Sequence, residues 1–292
     1  MVKRVFLFII TNILIITTIS IITSIFGIGH YMEGRGLNLT SLLFFCLAWG
    51  MGGSLISLAF SGILAKWMMK VQLIEGNPSG RALDIQLMVK KISTAAGLKM
   101  PKVGIYDSPE VNAFATGPTK NRALVAVSTG LLNKMNNDEL EGVLAHEVSH
   151  IANGDMVTMT LIAGVVNAFS MFLSRIIAFG VSTLVSDKLE YIVRIVTTIA
   201  LDIIFSILGS VVVSYFSRIR EYKADAGAAK LSGRDRMIAA LEKIKTTLEL
   251  PADDRAPSLA TMKISGKKKA ISLFSTHPAI EDRIEALRKM NI

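Results

Sequence analysis

Long apolar stretches alternate with polar ones along the chain, and that alternation predicts most of its elements. "VFLFIITNILIITTISIITSIFGIG" covers residues 5–29, and "LTSLLFFCLAWGMGGSLISLAFSGILA" covers 39–65. Each exceeds the roughly 20 residues that carry a helix across a bilayer. A third and a fourth run span about residues 156–184 and 191–217, with Arg175 inside one and Asp202 inside the other. A buried helical hairpin would also accommodate those charges. However, "IVRIVTTIALDIIFSILGSVVVSYF" is apolar all round, as a lipid-facing helix is and a surface helix is not. Four membrane spans are therefore expected. The first could be read as a signal peptide, but its apolar region is longer than the usual 7–15 residues. No small-x-small cleavage site follows it, so an uncleaved anchor is expected.

Between and after these runs the pattern changes. In residues 66–155, "RALDIQLMVKKISTAAGL" has helical periodicity and stops at Gly97. "KVGIYDS" and "RALVAVSTGLL" read as short strands, with "VNAFATG" as an edge strand between them. Asn137 or Asp138 is placed to cap the helix containing "DELEGVLAHEVSHIANGD". Residues 218–292 read as mostly helical, with a basic loop "KISGKKK" that is either solvated surface or a contact for anionic lipid head groups. The expected divisions are thus residues 1–65, a pair of spans; 66–155, a polar region; 156–217, an apolar hairpin; and 218–292, a second polar region.

Composition sharpens this picture. The mean hydropathy of +0.49, with 51% hydrophobic residues, is too apolar for an ordinary soluble domain. The formal charge of +9 is not interleaved with aromatic residues as a nucleic-acid surface would be, so no nucleic-acid partner is expected. Basic residues instead flank the apolar runs: Lys3 and Arg4 before the first, Lys66 and Lys70 after the second, Arg218 and Arg220 after the fourth. The short loops "HYMEGRGLN", which contains His30, and "VSDKLE" lack that excess. The positive-inside rule then puts both termini and both polar regions in the cytoplasm. Cys46, the only cysteine, lies in an apolar run and excludes an intrachain disulfide.

The chemistry concentrates in "AHEVSH". On a helix His146 and His150 lie one turn apart on the same face, where both imidazoles can bind one ion. Glu147 is rotated by about 100° from His146 and stands beside the ion, where a base for an attacking water is needed. Two imidazoles leave the site one ligand short. The elongated pattern H-E-x-x-H-x-x-G-x-x-H fails, because Asn153 and Met156 stand where Gly and His would be required. A glutamate from a second helix is the alternative. "SRIREYKADAGAAKLSG" supplies Glu221 and, one turn on, Asp225. The apolar hairpin between His150 and Glu221 would return the chain to the surface it left. Glu221 is thus the expected third ligand, and Asp225 the group that fixes a histidine's tautomer. The bland readings are a surface ion pair of Glu221 with Arg218 or Lys223, and an ordinary helix-surface carboxylate at Asp225.

"LAHEVSHIANGD", "SRIREYKADAGAAKL", "EVNAFATGP", "FSTHPAIEDRIEAL" and the placing of the apolar runs together resemble the HtpX branch of the M48 metalloprotease family. The family comprises bacterial inner-membrane zinc proteases related to the prenyl protease Ste24. The resemblance implies an α-helical integral membrane protein with four transmembrane helices and a cytoplasmic α+β, gluzincin-like metalloprotease domain. It implies one Zn2+ held by His146, His150 and Glu221, with Glu147 as the base. It also implies endopeptidase activity on unfolded, misfolded or damaged membrane proteins in envelope quality control. Two other functions stay open: a metal-binding membrane scaffold or chaperone that does not cleave, and a prenyl-protein protease, against which the small number of spans argues.

Two further segments have readings of their own. Asn112, Ala113, Phe114 and Ala115 would line an edge strand on which an extended peptide pairs through its backbone, or belong to an ordinary strand. His277 and Arg283 would approach the scissile carbonyl and support the oxyanion; alternatively Pro278 starts a helix and Arg283 pairs with a carboxylate. Finally, Arg175 and Asp202 lie at matching depths, nine residues before Leu184 and eleven after Tyr191, and are expected to pair.

Overall fold

The computed structural model describes residues 36–249 and 273–290. The first apolar run, Lys3, Arg4, His30 and the "KISGKKK" loop lie outside the described residues. The chain divides into two compact units. Among the described residues, one takes in 36–56 with Thr158–Val213, the other Ser57–Val157 with 214–249 and 273–290.

Three described helices are long and apolar enough to cross a membrane: α1 (Leu39–Met68), α5 (Asp155–Ser182) and α6 (Asp187–Ser232). In the first unit these helices meet through small residues. A Cβ on Gly50 of α1 would lie 2.6 Å from the backbone nitrogen of Ala168 on α5, and one on Gly209 of α6 would lie 2.5 Å from Val166 Cγ1. Such close backbone approach is how helices associate where lipid removes the hydrophobic drive. Arg175 and Asp202 face each other across α5 and α6, with Nη1 3.8 Å from Oδ1, and Asp202 also accepts the Ser174 hydroxyl. Phe45, Trp49, Ile199 and Ile203 are exposed, an outward apolar surface suited to hydrocarbon. The apolar run gives way to charged residues after residue 217, but the helix that carries it does not stop there. α6 continues unbroken for 46 residues, because "REYKADAGAAKLS" contains no proline and is rich in alanine.

The second unit holds a four-stranded sheet in the order β1 (Gln72–Leu73), β2 (Lys102–Tyr106), β4 (Leu124–Ser128), β3 (Ala113–Thr116). β2 and β4 are parallel, with Val103 beside Val125; β3 runs antiparallel to β4, with Phe114 beside Ala126. The two-residue β1 carries too little pattern to be read from sequence. "RALVAVSTGLL" is not one strand. Ser128 ends β4 and caps α3 (Thr129–Lys134), its hydroxyl accepting from Leu131 N at 3.0 Å. A serine hydroxyl satisfies a first-turn amide better than a strand can.

α2 (Gly80–Ala95) and α4 (Asn137–Asn153) pack on this sheet, with Ile85, Val89, Val125, Leu144 and Val148 in the shared core. α4 is capped by Asn136, one residue earlier than the sequence reading. Its side chain accepts from Glu139 N while Glu139 Oε2 accepts from Asn136 N, both at 2.9 Å. The reciprocal box requires a glutamate three residues on, and that selects Asn136. α4 ends at Gly154, whose φ of 66° suits glycine and lets α5 begin at the next residue. α7 (Arg234–Glu249) packs along α4, and α8 (Ile280–Arg288) adds Ile284 and Leu287 to the core.

Candidate metal centre

The site is built on α4 because that helix is held rigidly. From Leu140 to Ile151 every residue is buried except Glu147, which is partly exposed. His146 and His150 present their rings edge to face, centroids 4.5 Å apart, with the two Nε2 atoms 3.0 Å apart. α6 comes close enough to add a third group because its facing positions are small. Ala224 and Ala228 are buried, and a Cβ on Gly227 would lie 2.8 Å from Ser149 Oγ. Glu221, one turn before Asp225 on this helix, is only 1% exposed. Its Oε2 lies 3.4 Å from His146 Nε2 and its Oε1 3.4 Å from His150 Nε2.

Each histidine is tethered through its other nitrogen. His146 Nδ1 lies 2.9 Å from Asp225 Oδ1, and His150 Nδ1 lies 2.7 Å from Asp155 Oδ2. A ring that donates its Nδ1 hydrogen to a carboxylate turns the lone pair of Nε2 inward. Asp225 is in turn gripped by Arg283, which donates from Nε at 2.8 Å and from Nη2 at 2.6 Å. Arg283 Nη1 also lies 3.5 Å from Glu221 Oε2. Burial alone would lower the pKa of both histidines. Asp225 and Glu221 reverse this and raise that of His146, while Asp155, Glu221 and Glu147 hold His150 at about 9. A cation entering here therefore displaces protons.

The donor set fits a metal ion. One ligand atom each from His146, His150 and Glu221 can be chosen so that all lie within 4.8 Å of one another. Glu221 Oε2 is buried and accepts no hydrogen bond, although His277 Nδ1 stands 3.0 Å away at an ion-pair distance. Two imidazole nitrogens facing the two oxygens of one buried carboxylate form a cation site by their chemistry.

The other anticipated residues are near but different in kind. Ala113, Phe114 and Ala115 form β3 at one edge of the sheet, half-buried and in contact with α4. Asn112 precedes them, its backbone tied to Ser128 at both ends. Arg283 holds Asp225 and His277 reaches Glu221. Asp155 escaped the sequence reading. Its signal was present, an acidic residue opening an apolar helix directly after a glycine that ends the histidine helix. In the sequence alone, though, it reads as an ordinary first-turn carboxylate.

A histidine pair and glutamate of this kind, in a chain with membrane-length helices, make the donor set of a membrane-bound metal site. Comparison with known proteins narrows the class. Residues 79–291 match peptidase family M48. The chain is 52% identical to a protease HtpX homolog of Bacillus licheniformis, over 98% of each chain. It is 50% identical to the homolog of Bacillus subtilis, and 46% identical to protease HtpX of Thioalkalivibrio sulfidiphilus over 99% of each chain. The crystal structure of S. mikatae Ste24p shares the fold, with a TM-score of 0.56 at 18% identity, covering 96% of this chain and 66% of that one. The chain belongs to peptidase family M48.

Proposed function

We propose that this protein is a zinc-dependent endopeptidase of the bacterial inner membrane that cleaves misfolded or damaged membrane proteins on the cytoplasmic side. In this reading the chain crosses the bilayer four times, with both termini and the site in the cytoplasm. The observation that carries it is the convergence of His146, His150 and Glu221, each imidazole fixed from behind by its own carboxylate.

Zinc suits two nitrogen donors and one carboxylate, and when bound it supplies a Lewis acid for the scissile carbonyl and the attacking water. His146, His150 and Glu221 hold it; Asp225 and Asp155 keep both Nε2 lone pairs aimed at it. Glu147, the accessible residue of the segment, takes a proton from the attacking water and delivers it to the leaving amine. The outer side of β3, the last strand of the described sheet, offers backbone groups to an extended substrate beside α4, so an unfolded segment of any sequence can be aligned.

The test is cleavage of an unfolded membrane protein by purified wild type and Glu147→Gln, each with and without a chelator. The variant should retain zinc and lose about 10²–10⁴-fold in rate, the range of general acid–base catalysis. Undiminished cleavage by Glu147→Gln would reject the base. Full zinc loading with no chelator-sensitive cleavage by wild type would favour a metal-binding chaperone.

A further inference from the structure

The segment leading to His277 carries two exposed apolar side chains while its backbone is fastened to α6. Ser214 Oγ donates to Phe274 O at 3.0 Å, and Arg218 Nη1 donates to Leu273 O at 3.1 Å and to Ser275 O at 2.8 Å. Leu273 is nonetheless 50% exposed and Phe274 47%. The turn of α6 that holds them displays Tyr215, 55% exposed, and Phe216, 41% exposed.

We propose that Leu273 and Phe274 form a wedge that enters the lipid bilayer beside α6. Ser214 directly follows the apolar residues 191–213 within one unbroken helix, then come Tyr215 and Phe216, then Arg218 and Arg220. Apolar, aromatic, basic is the order in which a helix leaves hydrocarbon through the head-group layer. The wedge meets α6 at the aromatic level of that sequence. Its carbonyl oxygens are already satisfied by Ser214 and Arg218, so the turn enters an apolar medium without orphaned acceptors at those positions. The wedge is also coupled to the metal centre along the chain. Ser275 Oγ donates to His277 O at 2.6 Å, and His277 Nδ1 lies 3.0 Å from Glu221 Oε2. Lipid contact at Leu273 and Phe274 thus helps to place His277.

The experiment uses the full chain in lipid nanodiscs, with Cys46→Ala removing the native thiol and a nitroxide attached at Phe274→Cys. Labels at Ile203→Cys, in the apolar stretch, and at Asp235→Cys, on α7, serve as lipid and water standards. Oxygen should relax the label at 274 several-fold more than a polar nickel chelate does, as at position 203. A response like that at 235 overturns the proposal. So does poor access to both reagents, which would mean that protein, either this chain or a second copy, covers the wedge. Leu273→Cys repeats the measurement independently should the label at 274 disturb folding. Neither readout depends on metal or proteolysis.

Discussion

Two arginine–aspartate pairs, Arg283–Asp225 and Arg175–Asp202, are built differently. Arg283 grips Asp225 with two nitrogens at 2.6 and 2.8 Å, both side chains are buried, and the same carboxylate reaches His146. Arg175 meets Asp202 at 3.8 Å through one nitrogen, with both side chains partly exposed and a serine sharing the aspartate. A two-point grip in a desolvated interior fixes orientation, and orientation is what an imidazole needs to serve as a ligand. A single long contact between apolar helices fixes little; it offsets the expense of charge among apolar neighbours. The same two residue types thus aim a group in one place and neutralise one in the other.

Arg283→Ala should show the largest effect on stability. It leaves Asp225 buried without its cation, and removing one partner of such a pair costs about 3–5 kcal/mol. Chemical denaturation monitored by circular dichroism measures it, and a loss below about 1 kcal/mol would contradict the role given to the fork. Next comes tethering. Asp225→Asn and Asp155→Asn should each weaken metal binding by about 10–100-fold in a chelator competition, because each releases one imidazole. Equal, additive losses would mean that the two histidines are held independently. The smallest effect belongs to the pair between α5 and α6. Arg175→Gln should cost about 1 kcal/mol, a typical value for polar contacts between membrane helices, and exchanging Arg175 with Asp202 should recover most of it. An exchange no better than the single change would show that charge pairing is not what these residues contribute.

Local spacing made part of this molecule legible from its sequence. The turn between His146 and His150 follows from helical period alone. The approach of Glu221 follows from a chain that leaves through one apolar helix and returns through the next. The charges at 175 and 202 could be matched by counting depth. What escaped depends on contacts made after folding. Asn136, not Asn137 or Asp138, caps α4 because the reciprocal bond with Glu139 decides the register. Ser128 stops β4 because three backbone groups, Glu110 O, Asn112 N and Leu131 N, converge on its hydroxyl. Asp155 turns back towards His150 only because Gly154 takes a left-handed conformation, a geometry that composition does not display. The unbroken length of α6 was hidden by the change from apolar to charged residues, which marks a change of surroundings and not of backbone.

Glu147 alone among the residues from Leu140 to Ile151 is partly exposed. Exchanging its acid for an amide nearly preserves the side chain's size, so the variant removes a charge and a proton acceptor with little change in volume. Between Leu140 and Ile151 no other position would allow so clean a separation of chemistry from packing, since all the others are buried.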